Sequence, residues 1–109
     1  MQPTGNLHLG NYLGAIKYWV ELQKKFSCIF CIVDLHALTV PSNCKEIKKN
    51  TLEVTAAYLA SGINPDNQII FSQSSVYGHS DLAWILSCHT PIGWLNRMTQ
   101  FKDKAGKDK

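Results

Sequence analysis

Residues 28–34 read Cys28-Ile29-Phe30-Cys31-Ile32-Val33-Asp34. A short unbroken apolar run stopped by a charge is too brief for a buried helix, and it predicts a strand from Cys28 to Val33, buried on both faces and therefore parallel to its neighbours. Upstream, apolar residues at Leu9, Leu13, Ile16 and Val20, with Tyr12, Trp19 and Leu22 widening the stripe, predict an amphipathic helix from His8 to about Lys24. Downstream, Pro41-Ser42-Asn43 is a helix start signal, and Ile47, Thr51, Val54 and Tyr58 mark the inner face of a second helix. Gly62 closes that helix, Ile63-Asn64-Pro65-Asp66 turns, and Gln68-Ile69-Ile70-Phe71-Ser72-Gln73 is a second strand. Ser80-Asp81 then predict the cap of a helix running to about Cys88. Thr90 reads as the N-cap, and Pro91 as the first residue, of a shorter one. Strands alternating with helices of this length mean βαβ units, an α/β fold and a parallel sheet with right-handed crossovers.

The chain has 109 residues, a length for one domain rather than two, and 45% hydrophobic against 17% charged residues exclude a disordered or collagen-like chain. The net charge is +3, of which the final KDKAGKDK, with four Lys and two Asp, carries +2. The body is nearly neutral, which excludes a broad basic surface for DNA. That tail reads as linker-like. No apolar run approaches the roughly 18–20 residues of a membrane span, and Met1-Gln2-Pro3-Thr4-Gly5 is no secretory leader, so the expected setting is cytoplasmic. The four cysteines (28, 31, 44 and 88) are then expected as free thiols.

Helix N-termini present unsatisfied N–H groups and the positive end of a dipole, so the polar, glycine-containing approach Gln2-Pro3-Thr4-Gly5-Asn6-Leu7-His8-Leu9-Gly10-Asn11 is a natural anion seat. Gly5 and Gly10 are not followed by the Lys and Ser or Thr of a P-loop, and their spacing is not that of a dinucleotide fingerprint. His8 and Asn11 can donate to phosphate or ribose oxygens, with Gly10 leaving bare backbone on which a base or ribose packs. An ordinary helix cap with a solvated histidine explains the same residues, and spacing alone leaves both readings open.

The run P-T-G-x-L-H-L-G-N-Y-L-G-A at residues 3–15 resembles the first signature of class I aminoacyl-tRNA synthetases. Together with Gln2, V-D-L-H-A-L-T at Val33 to Thr39 and R-M-T-Q-F-K-D-K at Arg97 to Lys104, it is similar to the tryptophan-specific members. The resemblance spans essentially the whole chain and implies a Rossmann-like parallel sheet flanked by helices, with residues 1–109 forming an incomplete part of a catalytic domain. It implies a ligase that joins tryptophan to ATP as tryptophanyl-adenylate and passes it to tRNA(Trp), with magnesium carried by ATP rather than by a protein metal site, in a homodimer. Gln2, Pro3, Thr4, His8, Gly10 and Asn11 would line the ATP site. His8, Asn11 and Lys104 would act on the phosphates, Lys104 from a mobile loop. His36 and Gln100 would hold the ammonium or carboxylate of tryptophan. The family's first strand, its K-M-S-K-S loop and its indole-recognising acid are not in these residues, so the piece by itself is expected to be inactive. The alternatives are the tyrosine-specific sister or another nucleotidylyltransferase, and a non-catalytic nucleotide-binding module.

Other features have simpler explanations. His36 alone would be a loop residue after a strand, and Lys102 and Lys104 exposed, solvated charges. In a strand, Cys28 and Cys31 point to opposite faces, poor geometry for one metal or one disulfide. Trp19, Trp84 and Trp94 read as core or subunit-interface anchors, and His79 and His89 as capping or surface groups flanking the third helix.

Overall fold

A computed structural model describes residues 1–3, 7–39 and 44–105, the side chains at 44, 45 and 104 excepted. Thr4, the Pro41-Ser42-Asn43 start signal and the last four residues lie outside the described residues. The chain divides into two compact units, Met1–Val76 and Tyr77–Lys109.

In the first unit the predicted helix forms over residues 9–22, though not as one regular helix. Leu9–Asn11 (α1) and Lys17–Leu22 (α2) are α-helical, and Tyr12–Ile16 between them is a π turn, closed by the Lys17 N–H on the Tyr12 carbonyl. The wider turn breaks the expected stripe. Ile16 is 2% exposed, but Leu9 and Leu13 are 71% and 55% exposed, because one surplus residue in a turn shifts every position ahead of it off the 3.6-residue period.

Strand β1 (Ile29–Ile32) follows, then a short helix α3 (Asp34–Ala37) where a loop was expected, then α4 (Cys44–Ala60) and strand β2 (Ile69–Ser72). β1 and β2 pair in parallel, with Ile29 opposite Ile69 and Ile32 opposite Ser72, as the alternation of strands and helices predicts. On the other edge of β1 the Met1 ammonium donates to the Cys31 carbonyl at 2.8 Å, and the Val33 N–H donates to the Met1 carbonyl at 3.0 Å. That is the bonding pattern of one more parallel partner, so β1 is central, with Met1 on one side and β2 on the other.

Only one face of β1 is buried. Phe30 and Ile32 sit under α2 and α4, packed with Ile16, Val54, Tyr58 and Ile63. Ile29 and its partner Ile69 are 68% and 58% exposed, so the expectation of burial on both faces fails for this unit. An apolar run signals burial but does not say how many layers cover the sheet. Trp19, Phe30 and Tyr58 form the aromatic centre, with ring centroids 5.7–6.3 Å apart. Gly62 ends the turn after α4 at φ +102°, a conformation glycine adopts without penalty, and Gln23 clamps that turn: its Nε2 donates to the Gly62 carbonyl at 2.7 Å and its Oε1 accepts from the Asn64 N–H at 3.0 Å.

The second unit holds α5 (Tyr77–His89), α6 (Ile92–Leu95) and α7 (Thr99–Ala105). α5 begins before the predicted Ser80-Asp81 cap, which lies inside it, as does His79, while His89 is its last residue. Pro91 is itself the N-cap of α6, with extended backbone at ψ 134°, and the Thr90 hydroxyl turns back to the Leu86 carbonyl at 2.6 Å. Helix α7 occupies residues expected to be a linker and a mobile loop. Of the three tryptophans, Trp19 is in the core, and Trp84 and Trp94 are 73% and 65% exposed.

Tyr58 is fully buried and its hydroxyl has no hydrogen-bond partner among the described residues. Burial pushes its pKa up to about 12. The neutral phenol is favoured in the folded state, so stability is complete below the unfolded value of 10 and falls as pH rises from 10 towards about 12. Tyr58→Phe should therefore raise stability by about 1 kcal/mol at neutral pH and flatten the alkaline decline. Urea unfolding of both proteins from pH 7 to 12 measures both effects.

Candidate functional site

The polar approach and the first helix meet in a reciprocal cap. His8 is the N-cap residue, with φ −120° and ψ 168°. Its Nδ1 accepts the Gly10 N–H at 3.1 Å, and the Asn11 Oδ1 accepts the His8 N–H at 3.0 Å, which satisfies two donors that the helix cannot. The ordinary cap is thus realised, and it decides which atoms are left to act. An Nδ1 that accepts is unprotonated, so the neutral ring carries its proton on Nε2; an Oδ1 that accepts leaves the Asn11 amide NH₂ as donor. Capping turns two donors away from the backbone at the positive end of a helix.

Gly10 leaves room for this ring. A Cβ there would lie 3.0 Å from the His8 Cε1 and Nδ1, so the imidazole would have to shift by a few tenths of an ångström. The backbone at Gly10 was expected bare for a base or ribose to pack on, and the His8 ring already lies against it.

The approach itself is anchored at the carboxyl end of β1. Met1 pairs with Cys31 and Val33, Pro3 is buried, and the Pro3 carbonyl accepts from the Asn50 Nδ2 of α4 at 3.3 Å. Gln2 is half-buried between them. At the same end Asp34 opens α3 and ties the two strands together. Its Oδ1 accepts the N–H groups of Leu35 at 3.0 Å and Ser74 at 2.9 Å, and its Oδ2 accepts the Ser74 hydroxyl. A cavity of about 370 Å³ lies beside this clamp, bordered by Asp34, Lys48, Thr51 and Ser74. The carboxyl edge of a parallel sheet is where ligand crevices of α/β folds form.

His36 is exposed on the last turn of α3, so it is a helical residue rather than a loop residue, at the strand end where it was expected. Gln100 and Lys104 both lie on α7 in the second unit, Gln100 exposed and Lys104 on a helix instead of a loop. Gln2, Pro3, His8, Gly10, Asn11 and His36 thus belong to the first unit, and Gln100 and Lys104 to the second. Sequence reasoning missed Asp34 and Asn50 as organisers. Asp34 had a signal, as the charge that ends the apolar run; Asn50 had none, since its role depends on where Pro3 lies. Cys28, Cys31 and Cys88 are free thiols, and burial raises the pKa of Cys31, keeping it protonated and unreactive.

The family model for class I tRNA synthetases (W and Y) matches residues 1–108. The chain is 62% identical over 109 residues to the tryptophan–tRNA ligase of Brucella melitensis, covering 100% of the chain and 31% of that protein. It is 58% identical over 108 residues to the enzyme of Rickettsia conorii, covering 99% and 33%. Among solved structures, the tryptophanyl-tRNA synthetase of Campylobacter jejuni complexed with ADP and tryptophan superposes with a TM-score of 0.87 at 42% identity, over 98% of this chain and 34% of that one. The chain spans about a third of the length of these relatives.

The Asp34 clamp yields a test within the first unit. Asp34→Ala leaves the Ser74 N–H and hydroxyl without their charged partner, and it should cost about 1.5–3 kcal/mol. Ser74→Ala should cost less, because Asp34 keeps two backbone donors. Urea unfolding of the two variants against the parent checks the order.

Proposed function

The chain belongs to the class I tRNA synthetases of the tryptophan and tyrosine group, and we propose that residues 1–109 form part of the catalytic domain of a tryptophan–tRNA ligase, binding ATP and tryptophan. The observation that carries this reading is the reciprocal His8–Asn11 cap, which leaves an imidazole N–H and an amide NH₂ as outward donors at a helix N-terminus. A polyphosphate is the ligand that such a donor set fits. The tryptophan–tRNA ligases of Brucella and Rickettsia and the Campylobacter complex with ADP and tryptophan support the choice of substrates.

In the proposed reaction the tryptophan carboxylate attacks the α-phosphorus in line and pyrophosphate leaves, so the protein's task is positioning and charge stabilisation, with no nucleophilic side chain. Gln2, Pro3, Thr4 and Gly10 shape the nucleotide seat. His8 donates its Nε2–H to phosphate oxygens as charge builds, Asn11 donates from its amide, and Lys104 on α7 adds a positive charge to the phosphate tail. His36 and Gln100 hold the ammonium or carboxylate of tryptophan. Magnesium arrives on the nucleotide. The full enzyme would then pass the aminoacyl group to tRNA(Trp) in the cytoplasm, as a homodimer in which Trp84 and Trp94 are candidate contact residues. No helix among the described residues is long and apolar enough to cross a membrane.

The test separates capping from ligand contact at His8. Serine is a good N-cap but cannot reach out as a donor, so His8→Ser should keep the melting temperature within a few degrees while weakening ATP binding by tenfold or more in calorimetry. His8→Ala should lose about 1 kcal/mol of stability as well. Equal ATP affinity in parent and His8→Ser would overturn the role given to the imidazole.

A further inference from the structure

The π turn at Tyr12–Ile16 is explained neither by the core nor by the cap. Stepping back from buried Ile16 in a regular α-helix, the positions on its face are Leu13, Tyr12 and Leu9, the apolar stripe that the sequence displays. The structure leaves Leu13 and Leu9 in solvent while Asn11 is half-buried. One surplus residue accounts for this. With the Lys17 N–H bonded five residues back to Tyr12, each position ahead of the turn moves by one, and the face continuing from Ile16 becomes Tyr12, Asn11 and His8.

We propose that the Tyr12–Ile16 turn is a positioning device, whose one surplus residue brings half-buried Asn11, and with it the exposed His8 that it caps, onto the helix face that continues from Ile16, while Leu9 and Leu13 leave that face. The sequence overrides its own periodicity where two polar donors need that side, and such conflicts between local pattern and structure gather at functional sites. Gly14 lies inside the turn with open space beside it, a Cβ there meeting nothing within 4 Å. The inference rests on the reading of His8 and Asn11 as nucleotide contacts.

Deletions test it. In a regular α-helix, removing one residue rotates everything ahead of it by about 100°. Here, deleting Gly14 should consume the surplus, turn the π turn into α-helix and leave the cap where it was. The magnesium–ATP affinity of the Gly14 deletion, measured by calorimetry, should stay within threefold of the parent, and amide exchange over residues 12–16 should slow by tenfold or more. Deleting Leu13 and Gly14 together has no second surplus to consume. The cap should rotate off the face that continues from Ile16 and ATP binding should weaken by at least tenfold, with the near-UV dichroism of the aromatic core unchanged. Tenfold weaker binding in the single deletion, or parental binding in the double deletion, overturns the proposal. If the parent itself binds no ATP, the nucleotide reading fails, and the positioning claim is then decided by a soluble paramagnetic probe. Asn11 should stay shielded in the parent and the single deletion and become accessible in the double deletion; any other pattern overturns it.

Discussion

Tyr58 of α4 lies across Phe30 of β1 and meets the edge of Trp19 from α2, and the first unit is arranged around these three rings. Their contact fixes α4 over the face of β1 that carries Phe30 and Ile32, which in turn sets the path by which the chain returns to place β2 alongside in parallel. It also brings Asn50, two helical turns before Tyr58, to the carbonyl of Pro3. Packing around one aromatic centre thus ends by holding the polar approach at the carboxyl end of the sheet. The Tyr58 hydroxyl, without a hydrogen-bond partner among the described residues, is the cost of using tyrosine at that centre.

The carboxyl end of β1 is where local chemistry and topology meet. Asp34 binds the chain after β2 through Ser74, and Met1 bonds to the other edge of the same strand, so the groups beyond the strand are held from both sides. The His8–Asn11 cap then shows how a structural role and a binding role can be one arrangement. Each residue uses one polar atom to complete the helix, and the remaining atom is therefore a donor of known type. Gly10 leaves the room that this ring needs.

Two of the departures from the helical expectations share a cause. Leu9 and Leu13 sit at perfect α-helical spacing, yet the turn after them is not α-helical, and periodicity has no means of registering one extra residue in a turn. α3 was missed because Asp34 to Ala37 is too short to display a period, and the Asp34 that opens it is bound by Ser74 from the turn after β2, forty residues away. Pro91 was placed one position too far into α6, since its fixed φ suits both the N-cap and the first turn and only ψ tells them apart.

Local pattern alone determined both strands and their parallel sense, α4 with its inner face of Val54 and Tyr58, the stop at Gly62, and the gathering of His8, Gly10 and Asn11 at a helix start. These follow from interactions between residues a few positions apart, which a sequence displays directly. Tertiary structure decided the rest: that one face of the sheet is covered in this unit and the other is not, that Asp34 and Asn50 organise the strand ends, and that Asn11 is half-buried while Leu9 and Leu13 are exposed. Each depends on a partner from elsewhere in the chain or on the register of a turn. Such partners are brought together only when the core closes, because the free energy of burial is set by which surfaces meet and not by the order of residues along either one.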